Sequence, residues 1–451
     1  MSPRCATVSE PVLIGRPSDA EIAARIASVP LRGRLPRYFW LAFLVLFVVA
    51  LGFLFSITWL LVEGIGTIGL NIPAAWGFMI VNTVWWIGIG HAGTLISAVL
   101  VLLSQNWRNS INRFAEAMTL LAASMAGLFP ILHLGRPRYF YWLLPLPVTH
   151  MPWPQWRSPL VWDFFAIATY ILVSLMFWYM GLVPDLAVLR DRATTRGKQV
   201  VYGLLALGWR GSVHHWSRFE RAYFLIAALA TPLVVSVHSV VSLDFTSAIV
   251  PGYHSTIFPP YFVAGALYSG FAMVFTIAVP LRQFFGFEQF ITEKHLDAGA
   301  KVMLASGALV AFGYISEAFF SWYSGDEFER FMMWNRAFGS YGWTFWIMLA
   351  CNVGTLQLLW FKRVRTNAWL LFGLSILINI GMWLERYVIV VTSLTKDFMP
   401  SAWRDVEPTW TDFGLLFGSL GMFFTLLFLF LRVLPAITIF EVQELRHEVA
   451  R

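Results

Sequence analysis

Three side chains stand out because they can carry protons and because of where they fall: His133, Asp163 and Asp244. Each lies at the end of a long apolar run. An ionisable side chain inside a bilayer costs roughly 2.5–3.5 kcal/mol on insertion scales, so each needs a reason. An imidazole beside carboxylates accepts and passes protons near neutral pH. The bland alternative is a helix-end residue touching headgroups or water. Three helices of one bundle placing a titratable group at one depth argues for convergence. His133 precedes Leu134-Gly135-Arg136-Pro137, whose Gly and Pro stop a helix. Asp163 follows Leu160-Val161-Trp162 and sits about one turn inside its helix.

Further polar residues lie deeper. His91 falls mid-run in Gly88-Ile89-Gly90-His91-Ala92-Gly93-Thr94, with Ser97 one turn on. The small residues suit close helix packing; the imidazole with Thr94 and Ser97 equally suits a proton relay. His238, six residues before Asp244, points about 120° away from it on a helix. Glu116 is expected at an inner interface. In the second half, Glu317 and the adjacent Glu385-Arg386 are the buried-run charges, and Glu385 and Arg386 can neutralise each other. Cys5 and Cys351 are the only cysteines, and no C-x-x-C-H occurs. Two thiols do not ligate an iron–sulfur cluster, and the histidines of the spans lie singly on different helices, which disfavours a di-haem arrangement. The chain is therefore expected to hold no haem, iron–sulfur cluster or metal of its own.

The elements that must position these groups are membrane spans. The 451 residues are 58% hydrophobic and only 13% charged, against about 25% charged in soluble proteins. Apolar runs recur near 38–61, 76–103, 112–134, 160–184, 219–243, 258–285, 296–322, 338–361, 367–393 and 410–434. About 20 residues of helix cross the hydrocarbon core, and the short alternating segments of a β-barrel do not appear. The fold class is an all-α integral membrane protein with about ten transmembrane helices. A net charge of +7 does not call for nucleic acid here, because the basic residues fall in alternate loops. With the N-terminus inside, about 24 Lys and Arg lie on the cytoplasmic side and about 7 outside, Arg32, Arg34, Arg37, Arg190, Arg192, Arg196 and Lys198 among the former. Both ends are thus expected in the cytoplasm. The first 37 residues carry no apolar signal-peptide core, and 19–29 can form an amphipathic helix on the inner surface.

Residues 76–243 align over 258–393 as four helices on four, in the same orientation. Trp162-Asp163-Phe164-Phe165 matches Trp343-Thr344-Phe345-Trp346. The expected organisation is a cytoplasmic segment (1–37), a flanking helix with an outer loop (38–75), a first four-helix bundle (76–243), a second (244–393), and an outer loop, last helix and tail (394–451). The outer segments 135–159, with Pro145-Leu146-Pro147 and Trp153-Pro154, and 394–409 are long enough to dock a partner. Most of the 22 Trp need no further role than an interfacial belt.

The strings Gly90-His91-Ala92-Gly93-Thr94-Leu95-Ile96-Ser97-Ala98 and His133-Leu134-Gly135-Arg136-Pro137, with Trp162-Asp163-Phe164-Phe165, carry a resemblance. The chain resembles the NrfD/polysulfide reductase membrane-subunit family over about residues 35–440, and is most similar to the ActC-type subunits of bacterial alternative complex III. The resemblance implies a quinol-oxidising subunit of the bacterial cytoplasmic membrane, using menaquinol or ubiquinol. It implies c-type haem subunits, an iron–sulfur partner subunit, a second NrfD-like membrane subunit and a terminal oxidase as electron acceptors and neighbours. Carried over by position, His133, Asp163 and Asp244 line the quinol pocket and take its protons, with Trp162, Phe164 and Arg136 around the ring. His91, Thr94, Ser97, His238, Glu317, Glu385 and Arg386 mark a proton path. The second bundle has Glu317 and Thr344 where the first has His and Asp, so one quinol site is expected.

A secondary transporter and a cofactor-free scaffold are the rival classes. Inverted repeats and broken helices at the midplane would favour transport; the repeat here is parallel and most of the polar residues cluster at one edge.

Overall fold

The computed structural model describes residues 12–15, 17–31, 35–143 and 156–449. Cys5, Arg32, Arg34, Pro145-Leu146-Pro147 and Trp153-Pro154 lie outside the described residues. Every regular element among those described is helical. The chain begins with α1 (Asp19–Leu31), α2 (Arg37–Glu63), α3 (Phe78–Leu102), α4 (Asn112–His133), α5 (Pro159–Arg192) and α6 (Arg196–Leu205). It continues with α7 (Val213–Thr246), α8 (Phe258–Phe284), α9 (Glu293–Tyr323), α10 (Glu327–Phe338), α11 (Gly342–Leu349) and α12 (Thr355–Leu358). The last elements are α13 (Lys362–Thr366), α14 (Ala368–Tyr387), α15 (Ser393–Thr395), α16 (Trp410–Val433) and α17 (Ile439–Val449).

Among the described residues nine helices are long and apolar enough to cross a membrane. The tenth expected run, 338–361, folds differently. Its helical part spans α11 and α12, joined by a π-helical turn at Ala350–Gly354. A second π turn, Val388–Thr392, joins α14 to α15. Such turns widen the helix locally and re-aim side chains.

Helix α3 is the hub, packed against α4, α7 and α8. Its glycines explain this. A Cβ on Gly93 would stand 2.0 Å from the Ala115 carbonyl of α4, and one on Gly270 of α8 would stand 2.3 Å from the Ala92 methyl. Thr119 Oγ1 donates to the Gly90 carbonyl across the α3–α4 contact at 2.6 Å. Small residues let these backbones touch, which is the main attraction available between helices in lipid.

The amphipathic helix α1 does not simply lie on the membrane. It buries Ile22, Ile26 and Val29 against α16, α17 and α5. Asp19 holds Arg446 at 2.7 Å, and the Pro30 carbonyl accepts from Arg432 at 3.0 Å. Glu116 is likewise buried rather than interfacial. It pairs with Arg113 at 2.8 Å; Arg113 also reaches Asp185 at 3.4 Å and the Gly181 carbonyl at 2.6 Å. Asp185 in turn accepts the Ile439 amide at 3.0 Å, seating α17.

Candidate functional site

His133, Asp163 and Asp244 line one cleft of about 560 Å³ between α3, α4, α5 and α7. This is within the usual size of a small-molecule site. Local sequence places each group. Pro130 removes a backbone donor one turn before His133, and Gly135, at φ 68°, turns the chain away just after it. Pro159 stands at the first turn of α5, where its missing N–H costs nothing, and fixes the start of the helix just ahead of Asp163. Asp244 falls in the last turn of α7.

The walls are apolar, with Ile80, Val84, Leu128, Ile167 and Val241 among them, and Phe164 lies at the level of Asp163. Leu134, Phe140 and Leu160 line the same cleft and are exposed on the protein surface, so it opens toward the lipid side. The Asp163 and Asp244 carboxyls line the same cleft from α5 and α7. Two carboxylates facing each other in apolar surroundings repel, and the pair is suited to hold a proton between them. His133 Nδ1, Asp163 Oδ1 and Asp244 Oδ1 are shielded from solvent and have no hydrogen-bond partner among the described residues. Buried polar atoms are normally satisfied, so three orphans around one cleft ask for a ligand that bonds them.

Other expected site residues lie elsewhere. Trp162 turns outward, 39% exposed, and its indole donates to the Trp156 carbonyl at 2.6 Å. Arg136 is exposed and does not line the cleft. Deeper in the protein, His91 and His238 meet, their ring centroids 4.6 Å apart. The angular argument that separated His238 from Asp244 is what turns it toward α3. His91 Nδ1–H donates to the Ile87 carbonyl, and its ring stacks on Tyr170 at 5.0 Å. Tyr170 Oη lies 3.0 Å from Thr94 Oγ1, and Ser97 is fully buried one turn on.

Glu385 contacts Arg386 and accepts from Tyr314 Oη at 2.5 Å, while Asn352 donates to Tyr314 Oη at 2.7 Å. The Arg386 guanidinium lies 4.7 Å above the Phe262 ring, which borders His238. Glu317 is not part of this group: it binds Arg336 at 2.5 Å. Both π turns serve this cluster. One carries Asn352, and the other begins two residues after Arg386.

The sequence reasoning did not single out Tyr170, Tyr314, Asn352, Arg113 or Asp185. The three-residue spacing of Arg113 and Glu116 was an available signal. Tyrosines and an asparagine in apolar helices are too common to have marked the others.

The comparisons with known proteins agree with this architecture. The chain belongs to the polysulphide reductase NrfD family, which matches residues 66–396. It is similar to the membrane subunit of a putative dimethyl sulfoxide reductase of Halobacterium salinarum, 27% identical over 272 residues, covering 60% of this chain and 57% of that protein. It is also similar to a subunit of the selenate reductase of Mesobacillus selenatarsenatis, 24% identical over 432 residues, covering 90% of this chain and 96% of that protein.

Proposed function

We propose that this chain is the quinol-oxidising membrane subunit of a respiratory oxidoreductase, and that the α3–α4–α5–α7 cleft takes the quinol head. The observation that carries this reading is the set of three orphaned polar atoms around a cleft that opens to lipid. A quinol offers two hydroxyl donors on an apolar ring with an isoprenoid tail. Asp163 and His133 are placed to accept from the hydroxyls, and Asp244 to receive a proton from Asp163 and pass it outward. Phe164 packs the ring, and the tail leaves past Leu134, Phe140 and Leu160. The two electrons go to a partner, an iron–sulfur subunit, which fits the reductase complexes named for both relatives.

The strings around His91 and Asp163 favour an ActC-type member of alternative complex III, with c-type haem subunits, a second NrfD-like membrane subunit and a terminal oxidase as partners. The basic loops favour both termini in the cytoplasm of a bacterial cell. The buried His91–His238 pair, with Tyr170 and Thr94 on one side and Arg386 and Glu385 on the other, supports a proton path across the seam between the halves.

The test is quinol-to-acceptor electron transfer in the purified native complex. Asp163→Asn and His133→Ala should each lower turnover about a hundredfold or more with subunits and haems retained. Unchanged turnover in an intact complex would move the quinol site to another subunit. A lone protein purified without haem or iron would favour transport instead.

A further inference from the structure

A second pocket, of about 580 Å³, lies at the opposite membrane face from the quinol cleft. It is bounded by the end of α3 (Leu100, Leu103), the connector residues Gln105 and Trp107, the first three turns of α9 and the start of α13. Its neighbours fix its level. The connector carries Arg108, bound to Glu441 of α17 at 3.1 Å, so the pocket shares the face of the C-terminal helix. The helices α3 and α9 enter their spans directly from it, which sets it at the height of the headgroups.

Its lining is split by chemistry. Lys294, Lys301 and Lys362 face it, with Asp297 as the one carboxylate among the lining residues. Asp297 is already engaged twice, by Lys301 at 2.6 Å and by Arg365 at 2.7 Å. Among the lining residues three lysines stand against this one carboxylate. On the membrane side the wall is Leu100, Leu103, Val302 and Trp107. Leu103 is 61% exposed, open to whatever lies alongside.

We infer that this pocket is a specific site for an anionic phospholipid, its phosphate held among Lys294, Lys301 and Lys362 and an acyl chain laid along Leu100, Leu103 and Val302. Basic pockets between transmembrane helices at this height recognise acidic headgroups, and each lysine near the surface strengthens such binding several-fold. The lysines sit on α9 and α13 while the apolar wall comes mainly from α3, so an occupant bridges the two halves of the protein. Free phosphate shares the headgroup chemistry but has nothing to place on the apolar wall. Phosphate headgroups occupy this height in either leaflet, so the site is independent of the orientation and of the quinol reading.

Native mass spectrometry of the delipidated protein, titrated with dioleoylphosphatidylglycerol or dioleoylphosphatidylcholine, tests this. Wild type should bind the anionic lipid much more tightly than the zwitterionic one. Lys294→Gln alone should weaken it about fivefold, and the Lys294→Gln, Lys301→Gln, Lys362→Gln combination about a hundredfold. The corresponding triple change to Arg should restore binding, which separates lost charge from poor folding. Equal binding of the anionic lipid by wild type and by the single Gln variant would overturn the site, as would displacement of the lipid by millimolar inorganic phosphate.

Discussion

Asp163 and Asp244 lie about eighty residues apart in the chain and come to one cleft only in the folded protein, and that placement decides what each substitution should do. Asp163→Asn keeps the volume and loses the proton acceptor, so the loss belongs to turnover rather than to folding. Trp162→Phe should leave quinol turnover within about twofold of wild type, because the indole faces the Trp156 carbonyl and not the cleft. Steady-state kinetics of the purified complex distinguishes the two neighbours. Arg113→Leu should act on stability instead. It leaves Glu116 and Asp185 buried without their shared counter-charge, a loss of about 3–5 kcal/mol, seen as a lower thermal midpoint in detergent and a smaller yield. His133, Asp163 and Asp244 were legible in the sequence because charge in an apolar run is rare. Trp162 and Arg136 do not line the cleft, because string adjacency does not say which side of a helix faces it.

At the scale of helices, length and hydropathy gave ten runs, nine of which are helices long and apolar enough to cross a membrane among the described residues, and the glycines near His91 announced a close contact. Gly93→Ala should destabilise by about 1–3 kcal/mol through collision with the Ala115 carbonyl. Gly373→Ala, with nothing near its added methyl, should change the midpoint little or raise it slightly. Thermal unfolding of both in the same detergent checks the contrast. The π turns were not legible, since no residue type marks them. The first interrupts the regular helix between Gly342 and Leu358 and carries Asn352, which reaches Tyr314 beside Glu385. The pairing of His91 with His238 was hidden for another reason: helix rotation can be counted from sequence, but the partner a rotated face meets depends on packing.

Across the whole molecule, α1 and α17 share one face. Asp19 binds Arg446, Arg432 binds the Pro30 carbonyl, and Asp185 and Glu441 anchor α17. Removing residues from 435 onward should therefore loosen the start of α1, which loses Arg446 while Arg432 still holds Pro30, detected as faster hydrogen exchange in its first turns in a protein that still inserts. The first span shows the same closure. The principal partner of α2 is α16, with the Phe53 backbone against Gly418 and Ser56 against Gly414. Some 350 residues separate their facing ends, which at about 5–20 residues per second is roughly 20–70 s of synthesis. During that interval α2 lacks its principal partner and waits in the bilayer. The newborn chain is thus an open ring whose clasp is made last, and a stalled ribosome would leave it unlatched.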